Sequence, residues 1–161
     1  MYYINYFFIF SILGYFIETL IYTSKDSGIL FLWWTPVYGI GVIIIILINK
    51  FINKLNMSKL VKKLLLFFLC ALVLSLIEAL GGYLLKWLFN KELWNYSTHK
   101  FNIGKYTSLE MSFIWGFGSI IFTYILKPLI DKKINKIPKY LTYILIILFI
   151  LDITTTLLIK S

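Results

Sequence analysis

Apolar residues run along this chain in five long blocks, separated by short stretches in which lysine, asparagine and glycine collect. The blocks cover about residues 3–23, 33–50, 64–89, 109–128 and 140–159. Each is near or above the roughly 20 apolar residues with which a helix crosses a bilayer. The pattern predicts an all-α fold, a polytopic membrane protein built as one transmembrane domain over 1–161 with a bundle of about five helices. The third block is long enough to tilt or protrude. Pro36 stands near the start of the second, where a missing N–H costs least. Pro128 and Pro138 bracket the connection between the fourth and fifth. The opening residues, MYYINYFFIFSILGYFIETLIY, lack the basic region and cleavage site of a signal peptide and read as a retained first span.

Composition sharpens this reading. Only 14% of residues are charged and 60% are hydrophobic, against roughly 25% charged in an average domain. No stretch remains for a soluble domain. The net charge of +9 comes from 16 lysines and no arginine, set against 7 acids. The lysines gather in the connections, where they set orientation and meet headgroups. They form no basic stripe, so no nucleic-acid partner is expected, and the lipid membrane is the surface they face.

Lysine placement predicts orientation. Connection 50–63 carries Lys50, Lys54, Lys59, Lys62 and Lys63; connection 127–139 carries Lys127, Lys132, Lys133, Lys136 and Lys139. These five and five make ten on one side. The other side receives six: Lys25, Lys86, Lys91, Lys100, Lys105 and Lys160. The positive-inside rule then predicts a multi-pass protein of the cell membrane with a cytoplasmic N-terminus and an outside C-terminus. Trp33, Trp34, Trp87 and Trp94 fall near the expected outer interface, as an aromatic belt would. Loop 90–108, NKELWNYSTHKFNIGKYTS, holds too many aromatic residues for a tether and is expected to fold back on the bundle.

Four acids lie in or at the rim of the apolar blocks: Glu18, Glu78, Glu110 and Asp152. With the predicted orientation all four fall in the outer half of the membrane. At 100° per residue, Ser11, Gly14 and Glu18 share one stripe of the first span, and Ser75, Glu78 and Gly82 share one of the third. Such small-residue faces let helices approach closely. Gly14, Gly82 and Gly116 are therefore the expected packing positions. Asp152 has Thr155 and Thr156 one turn away, and Glu110 points away from its own span's small stripe. In one reading Glu18, Glu78 and Asp152, with Ser11 and Ser75, line an outward-facing acidic cavity for a cation, a proton or an amine-bearing substrate. In the other they are hydrogen-bonded glue between helices. Charged groups at membrane depth are rare and mark pathways by default; serine would serve as glue at less cost, so the cavity is preferred. Lys86 is placed either to pair with Glu78 or to snorkel to the interface.

Familiar catalytic signatures are missing. The chain has no P-loop, GxSxG or HExxH pattern. Its one histidine, His99, has no cysteine or second histidine beside it, so neither a metal site nor another cofactor is expected. Cys70 lies in a span and reads as a small apolar filler. Two span pairs echo each other, SILGYFIE before WWTPVYGIG and LSLIEALGG before FIWGFGS, as repeated pairs do in transporters.

Several marks in fixed order carry a family likeness: Ser11-x-x-Gly14-x-x-x-Glu18, Pro36-Val37-Tyr38-Gly39-Ile40-Gly41, and Glu78-x-x-x-Gly82. Leu93-Trp94-Asn95-Tyr96-Ser97, Phe101-Asn102-Ile103-Gly104, Ser112-x-x-Trp115-Gly116, Pro128 and Asp152 continue it. Over nearly its whole length the chain resembles the bacterial CmpB-like family of ABC-transporter permeases, type IV. Tyr15, Leu93 and Asn95 depart from the family's usual residues, and Lys86 stands where an acid is typical, so no acidic role carries over to positions 86 and 95. The resemblance implies a permease subunit that works with a separate ATPase and self-associates as a homo-oligomer. It also makes Trp94, Tyr96, Phe101 and Asn102 candidates for a lid over the acidic cavity. The alternatives are an intramembrane enzyme using paired carboxylates, and a scaffold or sensor without flux.

Overall fold

The computed structural model describes residues 1–22 and 29–160; Lys25 lies outside the described residues. The elements are α1 (Tyr2–Tyr22), α2 (Pro36–Asn53), α3 (Lys59–Phe89), α4 (Leu109–Ile121), a π-helical turn (Phe122–Leu126), α5 (Lys127–Ile134) and α6 (Lys139–Lys160). Among the described residues five helical stretches are long and apolar enough to cross a membrane, with α4, the π turn and α5 counting as one. The fold is all-α.

Local chemistry accounts for the ends. Pro36 opens α2 at a position with no intrahelical donor to lose. Ser58 caps α3 by accepting the Val61 N–H at 3.4 Å, so that the lysine-rich stretch from Lys59 becomes helix. The 31 residues of α3 span roughly 46 Å at 1.5 Å each, well beyond the roughly 30 Å hydrocarbon core. Asn90, in the left-handed conformation at φ 51°, ends it. Ser108 caps α4 by accepting the Met111 N–H at 3.2 Å. The fourth helical stretch runs on past Pro128 to Ile134. Proline offers no N–H to the Tyr124 carbonyl, and the π turn immediately before it absorbs the misfit.

Helix α1 packs on α2, α2 on α3 and α3 on α4, while α6 lies along α1. The α1–α2 crossing is tight. A Cβ at Gly14 would stand 2.4 Å from the Tyr38 ring, and one at Gly39 would stand 2.4 Å from Ser11 Oγ and 2.5 Å from the Phe7 carbonyl. Both ends of the bundle are distinct. At the lysine-rich end a close-packed core joins Tyr6, Ile52, Leu66, Cys70, Phe122 and Ile134. There Tyr2 and Tyr6 donate to Asp131 at 2.7 and 3.0 Å, and Lys127 pairs with the same carboxylate. Thr142 donates to Asn5 Oδ1 at 2.7 Å, tying α6 to α1. The opposite end carries connections 29–35 and 90–108 and is called the loop end below.

Candidate functional site: carboxylates that hold two loops beside an apolar slot

Asp152 sits on α6 at the loop end, 4% exposed. Its carboxylate accepts the Phe31 and Leu32 backbone N–H groups, both at 2.8 Å, and the Trp34 indole N–H at 2.9 Å. The Thr156 hydroxyl, one turn along α6, donates to it at 3.3 Å. A carboxylate offers about four lone-pair positions. All are used. Asp152 therefore binds connection 29–35 to α6, and Trp34, expected in an aromatic belt, is instead buried with its N–H on a carboxylate. Its neighbour Trp33 is exposed.

Glu78 plays a parallel part on α3. Its side chain, 5% exposed, accepts the Tyr96 hydroxyl and the Thr107 hydroxyl, each at 3.1 Å. The buried indole N–H of Trp115 also faces Glu78, outside hydrogen-bond geometry. Connection 90–108 is thereby drawn onto α3 and α4. It is ordered internally by the Tyr96 N–H on the Lys105 carbonyl at 2.8 Å and the Trp94 indole N–H on the Tyr106 carbonyl at 3.2 Å. Gly82 makes this docking geometrically accessible: a Cβ there would stand 2.4 Å from the Tyr106 ring. One turn before Glu78, the Ser75 hydroxyl lies 2.7 Å from that of Ser112. Ser112 gives its proton to the Ser108 carbonyl, so Ser75 is the donor.

Glu18 differs from these two. It is half-buried, and the Thr35 hydroxyl donates to its Oε2 at 3.3 Å, with Tyr38 adjacent. Ser11, one stripe below, is fully buried; its carbonyl accepts the Thr35 N–H at 2.9 Å and its hydroxyl has no partner among the described residues. Glu110 stands in the first turn of α4. Of the four expected lid residues, Trp94 and Tyr96 face the helices, whereas Phe101 and Asn102 are exposed. Gly116 receives the Phe67 ring across the α3–α4 contact. Lys86 does not pair with Glu78 but lies 3.5 Å from Glu92, which Lys105 approaches at 2.7 Å. The Lys105 hydrogen bond holds the Glu92 carboxyl below the usual range, and Glu92 in turn raises the Lys105 ammonium.

Beneath the two connections lies a slot of about 540 Å³ between α3 and α6, floored by α2 and α1. Phe7, Trp34, Ile40, Gly81, Trp94 and Phe149 are among its walls, and Thr35 and Thr156 are its polar edges. None of the three carboxylates is part of its described lining. The carboxylates act one step behind it: Asp152 holds Trp34, and Glu78 holds the loop that carries Trp94. These partners were missed by sequence reasoning, as was the Tyr2–Tyr6–Lys127–Asp131 cluster. The i,i+4 spacings of Tyr2 with Tyr6 and of Lys127 with Asp131 were the available signal for the latter.

Read against known proteins, the sequence model of a family described as "Putative ABC-transporter type IV" matches residues 5–157, nearly the whole chain. The chain belongs to this family. No curated protein and no solved structure matches it. With five apolar helices and this match, the type IV protein is a multi-pass membrane protein that fits a membrane transporter subunit. Its two loop-holding acids, its half-buried Glu18 and its slot all lie within the matched residues.

Proposed function

We propose that this chain is the permease subunit of an ATP-driven transporter, and that Glu18 is the group that meets a cation, a proton or an amine-bearing substrate from the outside. One observation carries the choice of Glu18. Glu78 and Asp152 are buried and engaged with loops, whereas Glu18 is half-buried, with the Thr35 hydroxyl donating at 3.3 Å and the Tyr38 hydroxyl beside it. Thr35 links it to both the slot edge and the α1 carbonyl of Ser11. In this scheme Glu78, Asp152, Ser75 and Ser11 shape the outer half, with Trp94 and Tyr96 as the inner and Phe101 and Asn102 as the exposed part of the covering loop. The lysine-rich end faces the cytoplasm and receives a separate ATPase, since the chain has no P-loop of its own. The exposed apolar faces of five helices leave room for self-association.

Affinity purification in mild detergent from the native host tests the partner. A P-loop ATPase in stoichiometric amount supports the proposal, and recovery of the chain alone, or only with itself, overturns the ATP-driven part. With that ATPase in hand, amine-bearing compounds should stimulate its activity, and Glu18→Gln should remove the stimulation. Retained stimulation in Glu18→Gln excludes Glu18 as the contact. A C-terminal alkaline phosphatase fusion should be active if the loop end is outside.

A further inference from the structure

One buried donor at the loop end has no acceptor. The indole N–H of Trp115, on α4, is shut off from solvent and makes no hydrogen bond among the described residues. A buried donor left unpaired is costly, and each one in a folded protein calls for a reason. The Trp115 N–H faces the Glu78 carboxylate on α3, outside hydrogen-bond geometry. That carboxylate has room for it: of about four lone-pair positions, the Tyr96 and Thr107 hydroxyls take two. Tyr96 donates to Oε1 and Thr107 to Oε2, each at 3.1 Å, so connection 90–108 sets the plane of the carboxylate through both oxygens. Release of either hydroxyl frees that plane to turn toward the indole.

The same ring reaches toward the other glutamate. Trp115 packs on Tyr38 of α2 with ring centroids 5.8 Å apart and 52° between their planes. It also lies beside Gly41, one turn further along α2, where a Cβ would stand 3.8 Å from it. Tyr38 is seated on Gly14 of α1, and its hydroxyl lies beside Glu18. Four helices thus contribute one residue each to a row that runs Glu78, Trp115, Tyr38, Glu18. Its two ends are built alike: Glu18 accepts the hydroxyl of Thr35, just before α2, and Glu78 that of Thr107, just before α4.

We propose that Trp115 is a two-position switch that couples connection 90–108 to Glu18. With the connection docked, Tyr96 and Thr107 hold Glu78, and the indole rests on Tyr38 with its N–H unpaired. When the connection lifts, the Trp115 N–H takes the position that a hydroxyl has left on Glu78. The ring's contact with Tyr38 changes in the same movement, and with it the setting of the hydroxyl beside Glu18. An element with two discrete arrangements is what carries coupling between sites. The new bond offsets part of what undocking costs, so the covering loop opens without leaving Glu78 bare. The purpose of the coupling rests on the reading of Glu18 as the substrate contact; the switch itself does not.

Hydrogen exchange and NMR of isotope-labelled indoles, both on the full-length protein in nanodiscs, test the switch. Trp115→Phe removes a donor that only the undocked state satisfies. Protection of 90–108 should therefore rise, relative to peptides around Leu66, by about threefold to tenfold, tenfold being about 1.4 kcal/mol. A tryptophan that merely packs, or that braces the docked loop, gives unchanged or lower relative protection when replaced, and that result overturns the proposal. Tyr96→Phe keeps the ring and withdraws one hydroxyl from Glu78. The Trp115 indole proton should then move downfield as it bonds to the carboxylate, which reads the switch even if Trp115→Phe does not fold. An unmoved indole signal overturns the proposal as well. A 3-fluorotyrosine label at position 38 should shift in Tyr96→Phe and lose that shift once Trp115→Phe is added; an equal shift in both backgrounds removes Trp115 as the link. Retained stimulation in Glu18→Gln, by contrast, strikes the substrate reading and leaves these results standing.

Discussion

Replacing Asp152 by asparagine tests whether one carboxylate holds the first loop. Three donors reach Asp152 at 2.8–2.9 Å, two from the backbone of Phe31 and Leu32 and one from the Trp34 indole. Hydrogen bonds to a charged acceptor contribute about 1.5–3 kcal/mol each, which gives about 4.5–9 kcal/mol for the set. Phe31 and Leu32 are 51% and 40% exposed, so water can replace part of what their N–H groups lose; Trp34, 6% exposed, has no such recourse. Asparagine keeps one acceptor oxygen but turns an NH₂ group toward the remaining donors. The expected destabilisation of the loop is therefore about 2–4 kcal/mol. At 1.4 kcal/mol per factor of ten, the lower figure corresponds to roughly 30-fold more frequent opening. Hydrogen exchange followed by mass spectrometry reads this directly: peptides covering 29–35 should lose roughly 30-fold or more in protection. Those around Leu66, in the core at the other end, should hold. Protection of 29–35 within threefold of the parent protein would refute the assignment of Asp152 as the loop anchor.

Other perturbations follow from the same contacts. Gly39→Ala places a methyl group 2.5 Å from the rigid Phe7 carbonyl and should cost about 1–3 kcal/mol by unfolding in mixed micelles. Gly118→Ala, with nothing within 4 Å of its Cβ, should be neutral or stabilising by up to about 1 kcal/mol. Glu78→Ala strands the Tyr96 and Thr107 hydroxyls and should free connection 90–108, seen as faster proteolysis in that loop; unchanged cleavage would remove Glu78 as its anchor. Acid should loosen the same loop through Glu92. Its carboxyl is held below the usual range by Lys105, so its contribution is present above the ordinary glutamate value of about 4.3 and fades as pH falls below it. Loop protection followed from pH 7 downward should drop further in that acidic window, and Glu92→Gln should remove this part of the drop while leaving any part carried by the Glu78 anchor.

Five apolar helices and the family were legible in the sequence because length and hydropathy are local properties: a run of about 20 apolar residues spans a bilayer whatever surrounds it. The order of motifs from Ser11 to Asp152 likewise needs no structure to be recognised. Partnership was not legible. Asp152 meets Phe31, Leu32 and Trp34 across about 120 positions of sequence, and Tyr2 meets Asp131 across 129. No periodicity encodes such pairings. Helical stripes placed Glu78 beside Ser75 and Gly82, yet only the folded chain shows that Gly82 receives Tyr106 from a loop and that Ser75 pairs with Ser112. Pro128 looked like the end of a span, but the π turn before it lets the helix continue, since a single lost N–H can be absorbed where the backbone widens by one residue. The slot is the most purely tertiary feature. Its walls come from four helices and two connections, each apolar for its own reasons, and its volume depends on how far apart α3 and α6 stand. Sequence determined that apolar surface would be abundant; packing decided where it would be left uncovered, because helices held at the loop end through buried carboxylates and glycine contacts cannot all close on one another.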